Sequence, residues 1–277
     1  MVSMADNKLT RIVKRLTRWR LAVQAAFLLA WLDPLMLRLH TVCGPVFHCY
    51  SCPLASFACP IGVLANFSAI HVVPLLALGT LLIVGAVFGS LVCGWACPFG
   101  LLQDLMARIP LPKFELPSWT GHFRYVTLVG LVIVIPYFYG ENHALFFCRV
   151  CPAGALEAAL PNTVQTALGS GPIAWPSLLK SVILVTFLAL ALVTWRPWCT
   201  MFCPLGAIFT LFNRSSVFFL RYHPDRCGDC GLCRRLCHYG GKREGLAAEL
   251  QCVRCLECAK CKAVTVEHVF SNREQGQ

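Results

Sequence analysis

Apolar residues fall in four long blocks, about 20–39, 70–92, 123–140 and 178–196, separated by segments that are polar, basic or rich in cysteine. Each block approaches the roughly 20 apolar residues a helix needs to cross a bilayer, so the pattern predicts four transmembrane helices. Asp33-Pro34 predicts a break in the first, because proline lacks an amide donor and crowds the preceding turn. Asp33, deep for a carboxylate, is either a proton carrier or a cap on the broken helix. Pro74 lies in the first turns of the second block, where Gly85 and Gly89 form a small-xxx-small pair suited to close helix packing. The third block is the shortest and has Pro136 near one end. The basic start fits a signal peptide, but no small-residue cleavage site is evident, and the first block is read as a retained span.

Composition agrees with the pattern. The chain of 277 residues is 57% hydrophobic and 13% charged, against about 25% charged in a soluble domain, and its mean hydropathy is +0.64. The net charge of +11 follows sidedness, which disfavours nucleic acid as a partner. Lys8, Arg11, Lys14, Arg15, Arg18 and Arg20 open the chain, Arg108, Lys113 and Arg124 fall in 97–124, and the tail is basic. Segment 40–70 has no Lys or Arg and 141–177 only Arg149. The bias places both termini in the cytoplasm and 40–69 and 141–177 outside, in a multi-pass membrane protein.

Eighteen cysteines change the picture. Length and hydropathy exclude a small disulfide scaffold, which leaves metal or iron–sulfur ligation. Cys-Pro-x-Gly occurs four times, beginning at Cys59, Cys97, Cys151 and Cys203, each time opening a segment that reads as a short helix. Proline is favoured at the first helical position, which puts the cysteine at the positive N-terminus, where free amides can donate to sulfur. The recurrence implies an internal repeat, 43–110 and 145–214. Cys93, Cys97, Cys199 and Cys203 share the inner face at C-x3-C-P spacing and supply four thiolates, enough for one [4Fe–4S] cluster or one structural zinc. The outer face holds Cys43, Cys49, Cys52, Cys59, Cys148 and Cys151. Helix alignment favours Cys59 with Cys151; the C-x2-C-P spacing favours Cys49, Cys52, Cys148 and Cys151. A cluster there, a disulfide from the remaining pair, and disulfides alone all stay open.

The tail carries the most specific motif. "CGDCGLCRRLC" spaces Cys227, Cys230, Cys233 and Cys237 at C-x2-C-x2-C-x3-C, and "CVRCLECAKC" adds Cys252, Cys255, Cys258 and Cys261. In two-cluster bacterial ferredoxins the last cysteine of each run ligates the other cluster. Two clusters are therefore expected, one on Cys227, Cys230, Cys233 and Cys261, the other on Cys252, Cys255, Cys258 and Cys237. The second run ends in x2 and neither run is followed by proline, so a paired zinc ribbon is the rival. The apolar and basic stretch before the tail, "FNRSSVFFLRYH", reads as interfacial.

The "CGWACP" and "WCTMFCP" pair ahead of a two-cluster tail resembles the NapH-type membrane ferredoxins, quinol dehydrogenase components, and shares elements with NosR- and CcoG-type polyferredoxins. The resemblance covers about 20–261. It implies electron transfer between the quinone pool and a partner protein in a bacterial or archaeal inner (cytoplasmic) membrane, four spans, and redox work at Cys93, Cys97, Cys199 and Cys203. The six-cysteine outer side departs from the NapH pattern, so nitrate reduction is not carried over.

The expected architecture is an all-α membrane protein, with a basic N-terminus (1–19), a four-helix domain containing the repeat (20–220) and a ferredoxin-like domain (221–277). The expected function is an electron conduit without a catalytic acid or base. Its expected partners are redox subunits, an outer ferredoxin or cytochrome and a cytoplasmic oxidoreductase, together with quinone. The alternatives are a redox sensor or maturation factor of NosR/CcoG type, and a structural anchor. Trp95, Gln103 and Asp104 inside, and His71 and His143 outside, are candidate quinone-lining residues. Haem is disfavoured, because no C-x-x-C-H occurs and His40, His48, His71, His122 and His143 lie near span ends. One difficulty is distance: sites on opposite faces stand about 30 Å apart across the hydrocarbon.

Overall fold

The computed structural model describes residues 8–32, 42–49, 51–52, 55–169, 177–228, 230–239 and 251–269; Asp33, Pro34 and His40 lie outside them. The chain is mostly helical, with one two-stranded sheet among the described residues.

The four apolar blocks give helices Arg20–Trp31, Leu75–Phe88, Ser118–Tyr139 and Leu178–Val193. Only Ser118–Tyr139, in the block that looked shortest, is long and apolar enough by itself to cross a membrane among the described residues. It starts earlier than its apolar pattern, at a 3-10 turn over Ser118–His122, and runs on through Pro136 after wider π-helical winding over Thr127–Val134. The others are cut short by backbone breaks. His71 at φ 58° and Pro74 precede Leu75–Phe88, and Gly89 at φ 56° ends it. Both glycines pack closely, a Cβ at Gly85 falling 2.6 Å from the Phe212 ring and one at Gly89 2.9 Å from Asn213 Oδ1, and Gly89 ends the helix as well. Thr194 is extended and Arg196 has φ 48°, which stops Leu178–Val193. At 1.5 Å per residue, helices of 14 and 16 residues span about 21 and 24 Å.

The breaks place the cysteine motifs inside the protein. Short helices Pro60–Ala69, Pro98–Met106 and Pro204–Leu211 follow three of the Cys-Pro pairs, and 152–168 follows the fourth. Their starts converge on one buried core with Phe47, Ile61, Leu81, Phe99, Val132, Phe147, Trp198 and Phe209. Outward faces stay apolar: Leu75, Leu76, Leu82 and Ile83 on one helix, Leu178, Val182 and Val185 on another, are exposed.

The tail begins in the stretch that read as interfacial. Phe218–Tyr222 is a strand paired antiparallel with Val264–His268, with Leu220 opposite Val266. Their inner faces pack with Cys233, Cys258 and Cys261. The N-terminal helix Lys8–Leu16 lies on the same sheet, where the Val266 amide donates to Thr10 Oγ1 (3.3 Å). Arg254, 2% exposed, ties the tail to the helical body: its Nη1 donates to Phe88 O (3.0 Å) and Ser216 Oγ (2.8 Å). Ser90 Oγ donates to Cys252 O (2.8 Å).

Candidate metal centres

The four Cys-Pro-x-Gly segments share one local structure. Cys59, Cys97, Cys151 and Cys203 each hold the N-cap position, with φ between −76° and −69° and ψ between 113° and 121°, and proline opens the helix. At two of them the glycine amide donates to the cysteine sulfur, Gly154 to Cys151 (3.4 Å) and Gly206 to Cys203 (3.4 Å); the Gly62 and Gly100 amides lie near the Cys59 and Cys97 sulfurs without a capping hydrogen bond. Such donors, at the positive end of a helix, stabilise anionic sulfur. The glycine has a second reason on the inner side, where a Cβ at Gly100 would meet Cys93 O at 3.1 Å and one at Gly206 would meet Cys199 O at 3.1 Å.

At the inner site Cys93, Cys97, Cys199 and Cys203 are buried, and every pair of them lies within mutual electrostatic reach. Gln103 Nε2 donates to Cys199 Sγ (3.2 Å), and its Oε1 accepts from the Trp198 amide (3.1 Å). Two wholly buried arginines flank the set. Arg196 Nη1 donates to Cys93 O (2.7 Å) and its Nε to Asp104 Oδ1 (2.6 Å). Arg124 acts on Cys93, Cys199 and Cys203, and its Nη2 has no hydrogen-bond partner among the described residues. Asp104 also pairs with Arg20 and accepts from Gln24 Nε2 (3.1 Å). Burial alone would raise its carboxyl pKa; the two guanidiniums outweigh it and hold the group below its ordinary value. Sequence reading missed both arginines as site residues, because an arginine at the edge of an apolar block, as both are, reads as a topology charge. The signal was present in Arg196, one residue before "PWCTMFCP".

In the tail Cys237, Cys252, Cys255 and Cys258 act on one another pairwise. Cys233 lies with Cys227 and Cys261; Cys230 is exposed. Burial raises the thiols of Cys233, Cys255 and Cys258 and pushes Cys252 up to about 12. Buried thiols of this kind become ligands only as a metal displaces their protons. The tail meets the inner site directly: a Cβ on Gly94 would fall 2.5 Å from Val253 O, and Trp95 Nε1 donates to Arg254 O (3.2 Å).

On the outer side Cys49, Cys59, Cys148 and Cys151 line one cavity of about 90 Å³; Cys43 and Cys52 do not line it. All eighteen cysteines are thiols without disulfides. The expected 30 Å gap is not what separates the two sites, for Phe47 lines the outer cavity and its carbonyl oxygen is 4.0 Å from Cys97 Sγ. The Phe47 ring packs against Phe99, Phe147 and Trp198 at 5.9–6.1 Å between centroids.

The candidate quinone residues are distributed differently. Trp95, Gln103 and Asp104 are engaged as described above. His71 bonds Tyr137 O through Nε2 (3.1 Å), and His143 Nδ1 accepts from the Leu145 amide (3.2 Å). Neither histidine lines the outer cysteine cavity.

Among the described residues no three Cys, His, Asp or Glu side chains converge tightly enough to hold a single metal ion. The inner set offers four buried cysteine sulfurs, the donor number and type that a four-iron cluster takes.

A family profile described as a 4Fe-4S binding domain matches twice, at residues 70–117 and 176–222. An uncharacterized protein, MJ0750, of Methanocaldococcus jannaschii is 30% identical over 251 residues, which cover 85% of this chain and 97% of that one. The ferredoxin-type protein NapH of Haemophilus influenzae is 27% identical over 198 residues, 67% of this chain and 63% of NapH. The regulatory protein NosR of Pseudomonas aeruginosa is 28% identical over 174 residues, 60% of this chain but 22% of NosR. The chain thus spans nearly all of the first of these relatives and less than two thirds of the other two. No solved structure matches.

Proposed function

The chain belongs to the NapH/NosR-type family of 4Fe-4S ferredoxins, and from that premise we propose that it is a membrane-integral subunit passing electrons between an outer-face partner or the quinone pool and a cytoplasmic oxidoreductase. It crosses the membrane four times, in two similar halves, with both termini in the cytoplasm. The observation that carries this reading is the inner set Cys93, Cys97, Cys199 and Cys203, two thiols from each half, directly beneath the docked tail. Apolar outward faces of Leu75–Phe88 and Leu178–Val193 support the membrane placement, since a soluble protein rarely exposes such surfaces. The N-terminal helix lies on the tail sheet, which keeps the two ends on one side.

Three clusters belong to this reading: one on the inner set, one on Cys237, Cys252, Cys255 and Cys258, and one on Cys227, Cys230, Cys233 and Cys261. Each, when bound, supplies one-electron redox chemistry. The protein's own groups do the rest. The Gly206 amide and Gln103 donate to the Cys203 and Cys199 sulfurs, and Arg124 and Arg196 offset the negative charge of four thiolates in a buried place. Gly94 lets the tail approach the inner site to backbone contact. A cavity of about 180 Å³ at this seam, lined by Gln24, Asp104, Trp195 and His238 among others, is where we place the quinone headgroup. Redox sensing is the rival reading, after the regulatory NosR relative.

Anaerobic purification followed by iron and sulfide analysis and EPR tests the proposal. At least about twelve irons per chain are expected, with paramagnetic signals that a quinol analogue generates quickly. Zinc in place of iron, or a reduced state without such signals, overturns it; reduction only by a dedicated partner protein favours the sensor.

A further inference from the structure

We propose that the outer cavity is a fourth [4Fe–4S] site, ligated by Cys49, Cys59, Cys148 and Cys151, with Cys43 and Cys52 outside the ligand set. The inference rests on the iron–sulfur reading above and adds to it a site and its ligands. Sequence spacing left two rival pairings for the six outer cysteines. Geometry separates them, because the four named thiols line a single cavity and every pair lies within mutual electrostatic reach, as at the inner site. Cys43 is instead packed against Ala58 and Ala77. Cys52 sits in the turn beside Cys49, where its amide donates to Cys49 O (3.0 Å).

The cavity has further features of a built site. Cys59 and Cys151 occupy the same helix-capping position as Cys97 and Cys203, and the Gly154 amide donates to the Cys151 sulfur (3.4 Å). The Cys49 amide donates to Glu157 Oε2 (2.7 Å), which fixes the loop that delivers Cys49. His48, 4% exposed, lines the cavity, and its Nδ1 stands 2.9 Å from Glu157 Oε2. Its Nε2 has no partner among the described residues and is left for a group inside the cavity. Lys180, in the first turn of Leu178–Val193, lines the same cavity and lies within electrostatic reach of Cys49 and Cys148. It offsets negative charge at Cys49 and Cys148, to which Glu157 adds beside Cys49, as Arg124 and Arg196 do at the inner set. Each thiol yields its proton to solvent as its Fe–S bond forms. Cys148 and Lys180 also border a wider groove of about 640 Å³, so iron and sulfide have a way in.

The test compares alanine variants of the full-length chain after anaerobic reconstitution with iron and sulfide, using metal analysis, Mössbauer spectroscopy and EPR. Wild type is expected to hold about sixteen irons. Cys59→Ala and Cys148→Ala should each lose about four of them together with one reduced-state signal, while Cys43→Ala and Cys52→Ala keep all sixteen. Lys180→Gln should keep the iron and lower the midpoint potential of one cluster only. A wild type with about twelve irons, unchanged in Cys59→Ala and Cys148→Ala, overturns the outer site and leaves the proposed function standing. Loss of iron from Cys43→Ala or Cys52→Ala, with Cys59→Ala intact, overturns the ligand assignment. Fewer than about twelve irons in wild type instead defeats the underlying reading. If the alanine variants do not fold, the wild-type iron count and the Lys180→Gln potential decide between the same outcomes.

Discussion

Arg196 has no exposed surface, and a guanidinium so placed needs its counter-charge inside the protein. Asp104 supplies it and shares it with Arg20. Asp104→Asn should therefore cost about 3–5 kcal/mol, the price of leaving a buried charge unmatched, measurable as a lowered thermal midpoint in detergent. The sign of its pH dependence follows from the depressed carboxyl. Stability from ionised Asp104 is fully present above the ordinary carboxylate value of 3.8 and is lost as pH falls through the lower folded value. The difference between wild type and Asp104→Asn should stay constant from about pH 5 to 8 and shrink only in stronger acid. A variant that matches wild type at neutral pH would show that Arg20 and Arg196 find other partners. At this scale the chain was half legible. A cysteine declares its chemistry by type and spacing, whereas an arginine at a span end reads the same whether it faces water or a buried thiol, and only the packing of Gly100 and Cys93 around Arg196 tells them apart.

The Cys-Pro-x-Gly helix start was legible because it is local: proline at the first position, sulfur at the cap and glycine within one turn need no distant partner. Its surroundings were not, and they make the copies unequal. At Gly100 and Gly206 a Cβ would press on a backbone carbonyl at 3.1 Å, while at Gly154 the nearest atom is the mobile end of Lys180 at 3.5 Å. Gly100→Ala and Gly206→Ala should destabilise the inner site by about 1–2 kcal/mol. Gly154→Ala should be neutral or gain up to about 1 kcal/mol from helix propensity. Thermal melts of the three variants check this, and equal effects at all three would show that the inner carbonyls yield freely. Helix lengths were hidden for a related reason. Apolar pattern counts residues, but the positive-φ backbone at His71 and Gly89 shortens one of its runs and that at Arg196 another, without interrupting their hydrophobicity. The strand Phe218–Tyr222 was hidden because its partner lies more than forty residues further on, beyond the second cysteine run.

The whole molecule works as one body only if the tail stays on the inner face. Arg254, Asn213 and Ser90 hold it there by hydrogen bonds, yet the closest approach is made by a residue without a side chain. Gly94 leaves no room for a Cβ beside Val253 O and Arg254 O, at 2.5 and 3.0 Å, and backbone atoms cannot swing aside as a side-chain tip would. Gly94→Val should therefore push the tail off while each part keeps its own cysteines. Overpacking of about 1–3 kcal/mol corresponds to roughly a five- to hundredfold rise in the undocked population. Tryptic cleavage near Arg214, in the link that joins the parts, should accelerate by that factor. Magnetic interaction of the inner cluster with the tail clusters should weaken with no loss of iron. Gly79 and Gly130 are the controls, since nothing lies within 4 Å of a Cβ at either, and valine there should leave both readouts unchanged. If Gly94→Val keeps the interaction and the cleavage rate of wild type, the tail is not seated by this contact, and the short path from the inner thiols to the ferredoxin-like end has to be sought along Trp95 and Arg254 instead.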